Sequence, residues 1–163
     1  MPAIKMAYGT STAFTITLAS LANGATSGRE STVVDNSSDL YIDALAQVIV
    51  TVSSGTPAND KAVYIYAYGA EAATTNYSGN ATGVDAAINL DSPTAMRLIG
   101  VIPTPTAATA VTWEGQPMSV AAAFGGILPR RWGIVVRNYS GLSLTSSTTL
   151  NIASWSGVSY TSI

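Results

Sequence analysis

The chain of 163 residues contains no histidine and no cysteine, and only 10% of its residues are charged, against roughly 25% in an average soluble domain. Each absence removes a class of chemistry. Without histidine there is no serine–histidine–aspartate triad, and the commonest general base and metal ligand is missing. Without cysteine there is neither a thiol nucleophile nor a disulfide framework, so the redox compartment is left open. No run approaches the roughly 18 apolar residues of a membrane-spanning helix. A net charge of −2, with no run of like charge, gives no electrostatic footprint for nucleic acid. Lys5 followed by residues 13–22 loosely imitates a secretory leader, but Thr12, Thr15 and Thr17 interrupt the apolar run at strand spacing and favour a strand.

What is present is mostly Ala, Ser, Thr, Val, Ile and Gly, and 47% of the residues are hydrophobic. That suffices for a packed core. Seven basic and nine acidic residues spread over roughly 7,600 Å² of folded surface leave about one charge per 475 Å². Such a surface is either suited to neutral contact with other subunits, since charge is depleted in interface cores, or is solvated by hydroxyl groups.

The dominant period is two, the mark of strands half-buried on one face. Phe14, Ile16 and Leu18 alternate with Thr15 and Thr17, and residues 31–35 form a short run. Along 41–52, Ala44, Ala46, Val48, Val50 and Val52 share one face. The loop 53–60 (Ser-Ser-Gly-Thr-Pro-Ala-Asn-Asp) leads into 61–69, expected to return antiparallel. Residues 73–83 lack a period and read as an extended surface loop. Further strands are expected over 94–102, 108–113, 118–124, 131–138 and 148–155, the last with a tail that extends it; any helix is confined to a short stretch at 83–90. The pattern predicts an all-β chain: a two-sheet antiparallel β-sandwich of jelly-roll type, with eight or nine strands and little helix. Residues 1–10 are expected as an N-terminal arm and 11–163 as a single domain.

Few residues offer chemistry. Asp35, Asp39 and Asp43 recur every four residues, but they bracket a turn rather than share a helix face, and the glycine of an EF-hand loop is missing. No carboxylate pair is singled out for glycoside chemistry, and Lys5 and Lys61 lie in no serine–lysine motif. No catalytic residue, metal ligand or cofactor is assigned. Tyr64, Tyr66 and Tyr68 alternate along one strand and project from one face, opposite Val63, Ile65 and Ala67. They read either as an aromatic contact platform or as ordinary cross-strand packing. In the segment 129–140, Trp132, Ile134 and Val136 take one face, and Arg131, Val135 and Arg137 the other. With Arg130, this element carries three of the seven basic residues, suited to carboxylates across an interface or to a solvated strand. Asn-X-Ser/Thr sequons at Asn36, Asn76, Asn80 and Asn138 are expected to arise by chance in a chain this rich in Ser and Thr.

In the strands 41–52, 61–69 and 132–140, and across most of its length in composition, size and layout, the chain resembles the small jelly-roll structural proteins of tailed bacteriophages, in particular the capsid decoration, or cement, family. That resemblance implies a non-enzymatic homotrimer, made in the host cytoplasm and sitting on the outside of the virion head. Its partner would be the major capsid protein, with no nucleic acid, membrane or small-molecule ligand. The contact residues expected are Tyr64, Tyr66, Tyr68, Arg130, Arg131 and Arg137, together with the arm. The alternative is a carbohydrate- or receptor-binding sandwich, such as a tail-fibre or lectin-like module, with Tyr64, Tyr66, Tyr68, Trp113 and Trp155 stacking on sugars.

Overall fold

A computed structural model describes residues 3–71, 76–90, 95–107 and 109–162. The chain is all-β and forms two antiparallel sheets packed face to face. Twelve strands are defined among the described residues: β1 (Ile4–Tyr8), β2 (Thr12–Ala13), β3 (Ser27–Glu30), β4 (Val34–Asp35), β5 (Asp43–Val52), β6 (Ala62–Ala70), β7 (Ala86–Asn89), β8 (Arg97–Pro103), β9 (Val111–Glu114), β10 (Met118–Ser119), β11 (Arg131–Tyr139) and β12 (Ile152–Ser162). β2, β4 and β10 are two-residue pieces that lie beside the same neighbours as β1, β3 and β9, which takes the number above the expected eight or nine.

The first sheet is centred on β12 and β5. β1 and β2 lie outside β12, and β9 and β10 lie outside β5. The second runs β7–β3–β11–β6–β8, with β4 continuing beside β11. Between β5 and β8 the chain places β6 to β8 in the second sheet and then returns to the first for β9 and β10.

Alternation determines which side chains enter the space between the sheets. Ala44, Ala46, Val48, Val50 and Val52 of β5 face Val63, Ile65 and Ala67 of β6 and Trp132, Ile134 and Val136 of β11 in one cluster. Each large side chain buried there contributes roughly 1.5–3 kcal/mol relative to exposure. Aromatic rings close one end. Trp132 meets Phe14 edge-on at 5.6 Å and Trp155 at 5.4 Å, and Tyr41 packs on Trp155 at 6.1 Å.

Several sequence expectations are revised. β5 and β6 do not pair. They lie in different sheets, with 53–61 crossing between them, because a period of two fixes which face is buried but not which strand lies alongside. Residues 14–18 keep the expected alternating burial without forming a ladder. Phe14 donates its N–H to the Ala153 carbonyl in the first sheet (3.0 Å), whereas the Thr15 carbonyl accepts from Thr32 beside the second (2.8 Å). The segment is the crossing itself. Residues 121–124 form a 3₁₀ turn, ended by Gly125 at φ 77°, a left-handed conformation that suits glycine. Residues 86–89 are strand rather than helix. The expected arm carries β1, which pairs in full with β12 of the same chain. Residues 1–2, 72–75, 91–94, 108 and 163 of the expected arm, loop and strands lie outside the described residues.

Two buried asparagines hold loops against the sandwich. Asn138 donates to the carbonyls of Leu21 (3.0 Å) and Leu142 (2.7 Å) and accepts from Ser140 Oγ (2.7 Å). Asn151 accepts from the Thr51 N–H (2.7 Å) and donates to Thr145 and Ser147 carbonyls (both 2.9 Å). Such groups must be paired when buried. Asn36 is buried too, donating to the Tyr41 carbonyl (2.9 Å) and accepting from the Tyr41 N–H (2.8 Å), so the sequons at Asn36 and Asn138 are closed to modification in the folded chain.

Candidate functional site: the outer face of the second sheet

The outer face of β6 and β11 is set by their register, in which Tyr64 lies opposite Arg137, Tyr66 opposite Val135, and Tyr68 opposite Gly133. The three tyrosines share this face, as alternation requires, but they have different surroundings.

Tyr68 is fully buried. Residues 77–90, with Met96, fold over this end of the sheet, so that Ala81, Ile88, Leu90 and Met96 close with Tyr68 and Val135 into a second, smaller core. The Tyr77 ring meets Tyr68 edge-on at 5.6 Å, and the Tyr68 hydroxyl donates to the Ser31 carbonyl at 2.7 Å. Burial pushes the Tyr68 phenol well above its ordinary pKa. Its ring lies across Gly133, where any Cβ would overlap it. A glycine in mid-strand is the sequence signal of such close approach, and it marks a covered tyrosine that periodicity alone does not reveal. Tyr68 is thus withdrawn from the expected contact set, and the expected surface loop is in part a cover.

Glu30 anchors that cover. It is buried, and its carboxylate accepts from the backbone N–H groups of Thr82 (2.8 Å) and Gly83 (3.3 Å) and from the Thr82 hydroxyl. At the neighbouring edge, Asp85 accepts from Arg29 and from the Thr17 N–H at 3.0 Å. Burial pushes the Asp85 carboxyl up, but the hydrogen bonds from Arg29 and Thr17 outweigh it and hold the pKa at about 2.

The other end of the face is open. Tyr64 is half-buried and donates to Asp60 at 2.7 Å. That hydrogen bond, followed by burial, raises its pKa. The Arg137 guanidinium sits 4.5 Å from the Tyr139 ring centroid and 5.5 Å from that of Tyr64, and its Nε donates to the Gly24 carbonyl at 3.3 Å. Rings on both sides orient the cation without neutralising it. Across β6, Val101 lies opposite Tyr64 and Leu98 opposite Tyr66, and both are exposed. Tyr66 sits at the boundary, packed against the second core.

The arginines do not form one patch. Arg131 is six residues from Arg137 along β11, about 20 Å at strand rise, and is ion-paired with Asp35 at 3.1 Å. Arg130 is exposed and lines an open cleft of about 780 Å³, together with Arg97, Phe124, Ile127 and Pro129. Glu71 is the one carboxylate among the described lining residues, so those residues supply no acid–base pair of the kind glycoside chemistry uses. Asp35 and Asp43 are occupied elsewhere. Asp43 accepts from the N–H groups of Ala44 and Ala121 and from Ser119 Oγ. Among the described residues no three Asp or Glu side chains converge to hold a metal ion, and no helix is long and apolar enough to cross a membrane. Trp113 and Trp155 pack against the main core, so with Tyr68 they supply no shared stacking platform.

Fold and site together define a β-sandwich whose second sheet bears a small aromatic–aliphatic surface around one oriented arginine. No family model, no curated protein and no solved structure matches the chain.

Proposed function

We propose that the protein is a non-enzymatic structural component of a bacteriophage virion, a decoration protein that binds the outer surface of the capsid lattice and stabilises the head. In this reading the sandwich is a jelly roll. One sheet is ordered β1/β2–β12–β5–β9/β10 and the other β3/β4–β11–β6–β8, with β7 added at an edge. The chain visits the sheets in the succession of two Greek keys, an architecture used by viral capsid and lectin domains. The observation that carries the reading is the open end of the second sheet. Tyr64, Arg137 and Tyr139, flanked by Leu98 and Val101, offer a contact of the tyrosine-and-arginine type that dominates protein interfaces. The partner is the major capsid protein, and the mechanism is mechanical, since a protein spanning several shell subunits adds contact area at their junctions. Several copies joined as a trimer gain further by multivalency.

The test is to heat DNA-filled, undecorated heads with and without the purified protein. A higher temperature of DNA release in its presence supports the proposal, and an unchanged temperature at saturating protein refutes it. Sugar binding on this face is the competing outcome. It is disfavoured because the tryptophans that would form a platform face inward.

A further inference from the structure

The open cleft of about 780 Å³ at the end of β6 falls within the roughly 300–1,000 Å³ of small-molecule sites, and its walls are held in place. Gly69 forms the floor. A Cβ there would stand 2.9 Å from Pro129 Cγ and 3.1 Å from Phe124 Cζ, so the loop 121–130 rests directly on the strand. That loop is tied to the first sheet, since the Ala121 N–H donates to Asp43 (2.8 Å) and the Leu128 N–H to the Ile42 carbonyl (3.3 Å). On the opposite wall the Ser78 hydroxyl oxygen accepts from the Gly69 N–H at 3.1 Å. Walls held in this way need little ordering when a ligand arrives, which removes one of the main penalties of binding.

Two features define the chemistry of the ligand. The first is a surplus of positive charge. Arg97 and Arg130 stand against the single carboxylate of Glu71 among the described lining residues, a local charge of +1 (two minus one) in a chain whose net charge is −2. Neither guanidinium forms an ion pair or hydrogen bond with a described residue, whereas Arg29 and Arg131 are both paired. The two flank the end of β6 from its neighbouring strands: Arg130 directly precedes β11, and Arg97 opens β8. Arg97 lies opposite Ala67, on the side of the sheet that faces the core, and so turns under the sheet edge into the cleft. A guanidinium fork suits a carboxylate or a phosphate. The second feature is apolar. Gly125 and Gly126, at φ 77° and 93°, turn the chain so that Ile127 stands 76% exposed beside Phe124 and Pro129 in the cleft wall. An apolar body covers this wall while its anion reaches an arginine.

We propose that the cleft binds a small amphipathic anion, an aromatic or aliphatic body bearing a carboxylate or phosphate. Such a ligand is not among the partners that the phage resemblance implies, and the proposal is independent of capsid binding, which belongs to the other end of the sheet. Titration of the folded full chain with the fluorescent aromatic sulfonate anilinonaphthalenesulfonate tests it. The expected result is a saturable enhancement with one dye per chain, displaced by naphthoate or naphthyl phosphate, the better competitor showing which anion the site prefers. The double variant Arg97→Gln/Arg130→Gln should weaken dye binding at least about 10-fold. Ile127→Ser should weaken it at least about 3-fold, and Glu71→Gln should tighten it. All four side chains are exposed, so the variants should keep the wild-type far-ultraviolet circular dichroism. The neutral analogue phenylnaphthylamine should not distinguish wild type from the arginine double variant. Absence of saturable binding up to millimolar dye overturns the proposal, as does failure of both competitors. Dye bound elsewhere, such as on the apolar outer face of the first sheet, would be untouched by the arginine changes, and unchanged affinity in the folded double variant likewise overturns it. None of these results depends on whether the protein binds heads.

Discussion

The fit of Tyr68 over Gly133 can be tested by a double-mutant cycle. In Gly133→Ala the new methyl occupies the space of the Tyr68 ring. The ring must leave its slot, and the Ser31 carbonyl loses the hydroxyl 2.7 Å away. Overpacking costs about 1–3 kcal/mol and an unpaired buried acceptor about 1–3 kcal/mol, so the single change should destabilise by about 3–4 kcal/mol. Tyr68→Ala, which empties the second core, should cost about 3–5 kcal/mol. In the double variant the methyl introduced at position 133 sits in space that the ring has vacated. The double variant should therefore cost little more than Tyr68→Ala alone, a coupling of about 2–3 kcal/mol. Urea unfolding followed by tryptophan fluorescence reads each value from the midpoint at constant slope. Costs that add to within about 0.5 kcal/mol, or a Gly133→Ala protein as stable as wild type, would refute the packing described.

Trp132 is fully buried between Phe14 and Trp155, so Trp132→Ala should cost about 3–5 kcal/mol, measured by the same titration. Asn138→Ala removes one donor from each of the Leu21 and Leu142 carbonyls and leaves the buried Ser140 N–H without its acceptor, which should cost about 1–3 kcal/mol, with increased protease cleavage at 20–25 and 140–145 as a second readout. The depressed pKa of Asp85 gives stability that is present above its ordinary value of 3.8 and lost as pH falls through about 2. Urea midpoints should therefore drop across that window by an amount on the order of 1 kcal/mol, and Asp85→Asn should remove this part of the acid dependence. Arg137→Ser should change stability by less than about 1 kcal/mol, since its ring contacts are partly solvated, yet weaken binding to heads.

The faces of the long strands were legible because burial of one face leaves a period of two. Val48 and Val50, Val63 and Ile65, and Trp132 and Ile134 all point where alternation places them. Partnership was not legible. β5 and β6 follow one another across a turn-rich loop and yet lie in different sheets, since the pattern of a strand is the same whichever neighbour it pairs with. Nor was the fate of the tyrosine stripe. Tyr64 and Tyr68 have equivalent positions in the local pattern, and what separates them is the cover formed by 77–90 and Met96, pinned by Glu30 through contacts 52 residues distant in sequence. Gly133 was the local trace of that cover. The arginines show the same limit: adjacency in sequence grouped Arg130, Arg131 and Arg137, while strand length and the ion pair to Asp35 separate them. Residues 14–18 show the reverse case, alternating burial along a crossing segment that never forms a ladder.

The proposal that this chain is a capsid-binding protein is tested most directly by co-sedimentation with undecorated bacteriophage heads. The account predicts saturable pelleting with the heads, at a fixed ratio to the major capsid protein. It also predicts that folded Tyr64→Ser and Arg137→Ser variants pellet less, while Arg131→Ser, at the far end of the strand, pellets as wild type. A protein that remains in the supernatant at every concentration of heads would contradict the account.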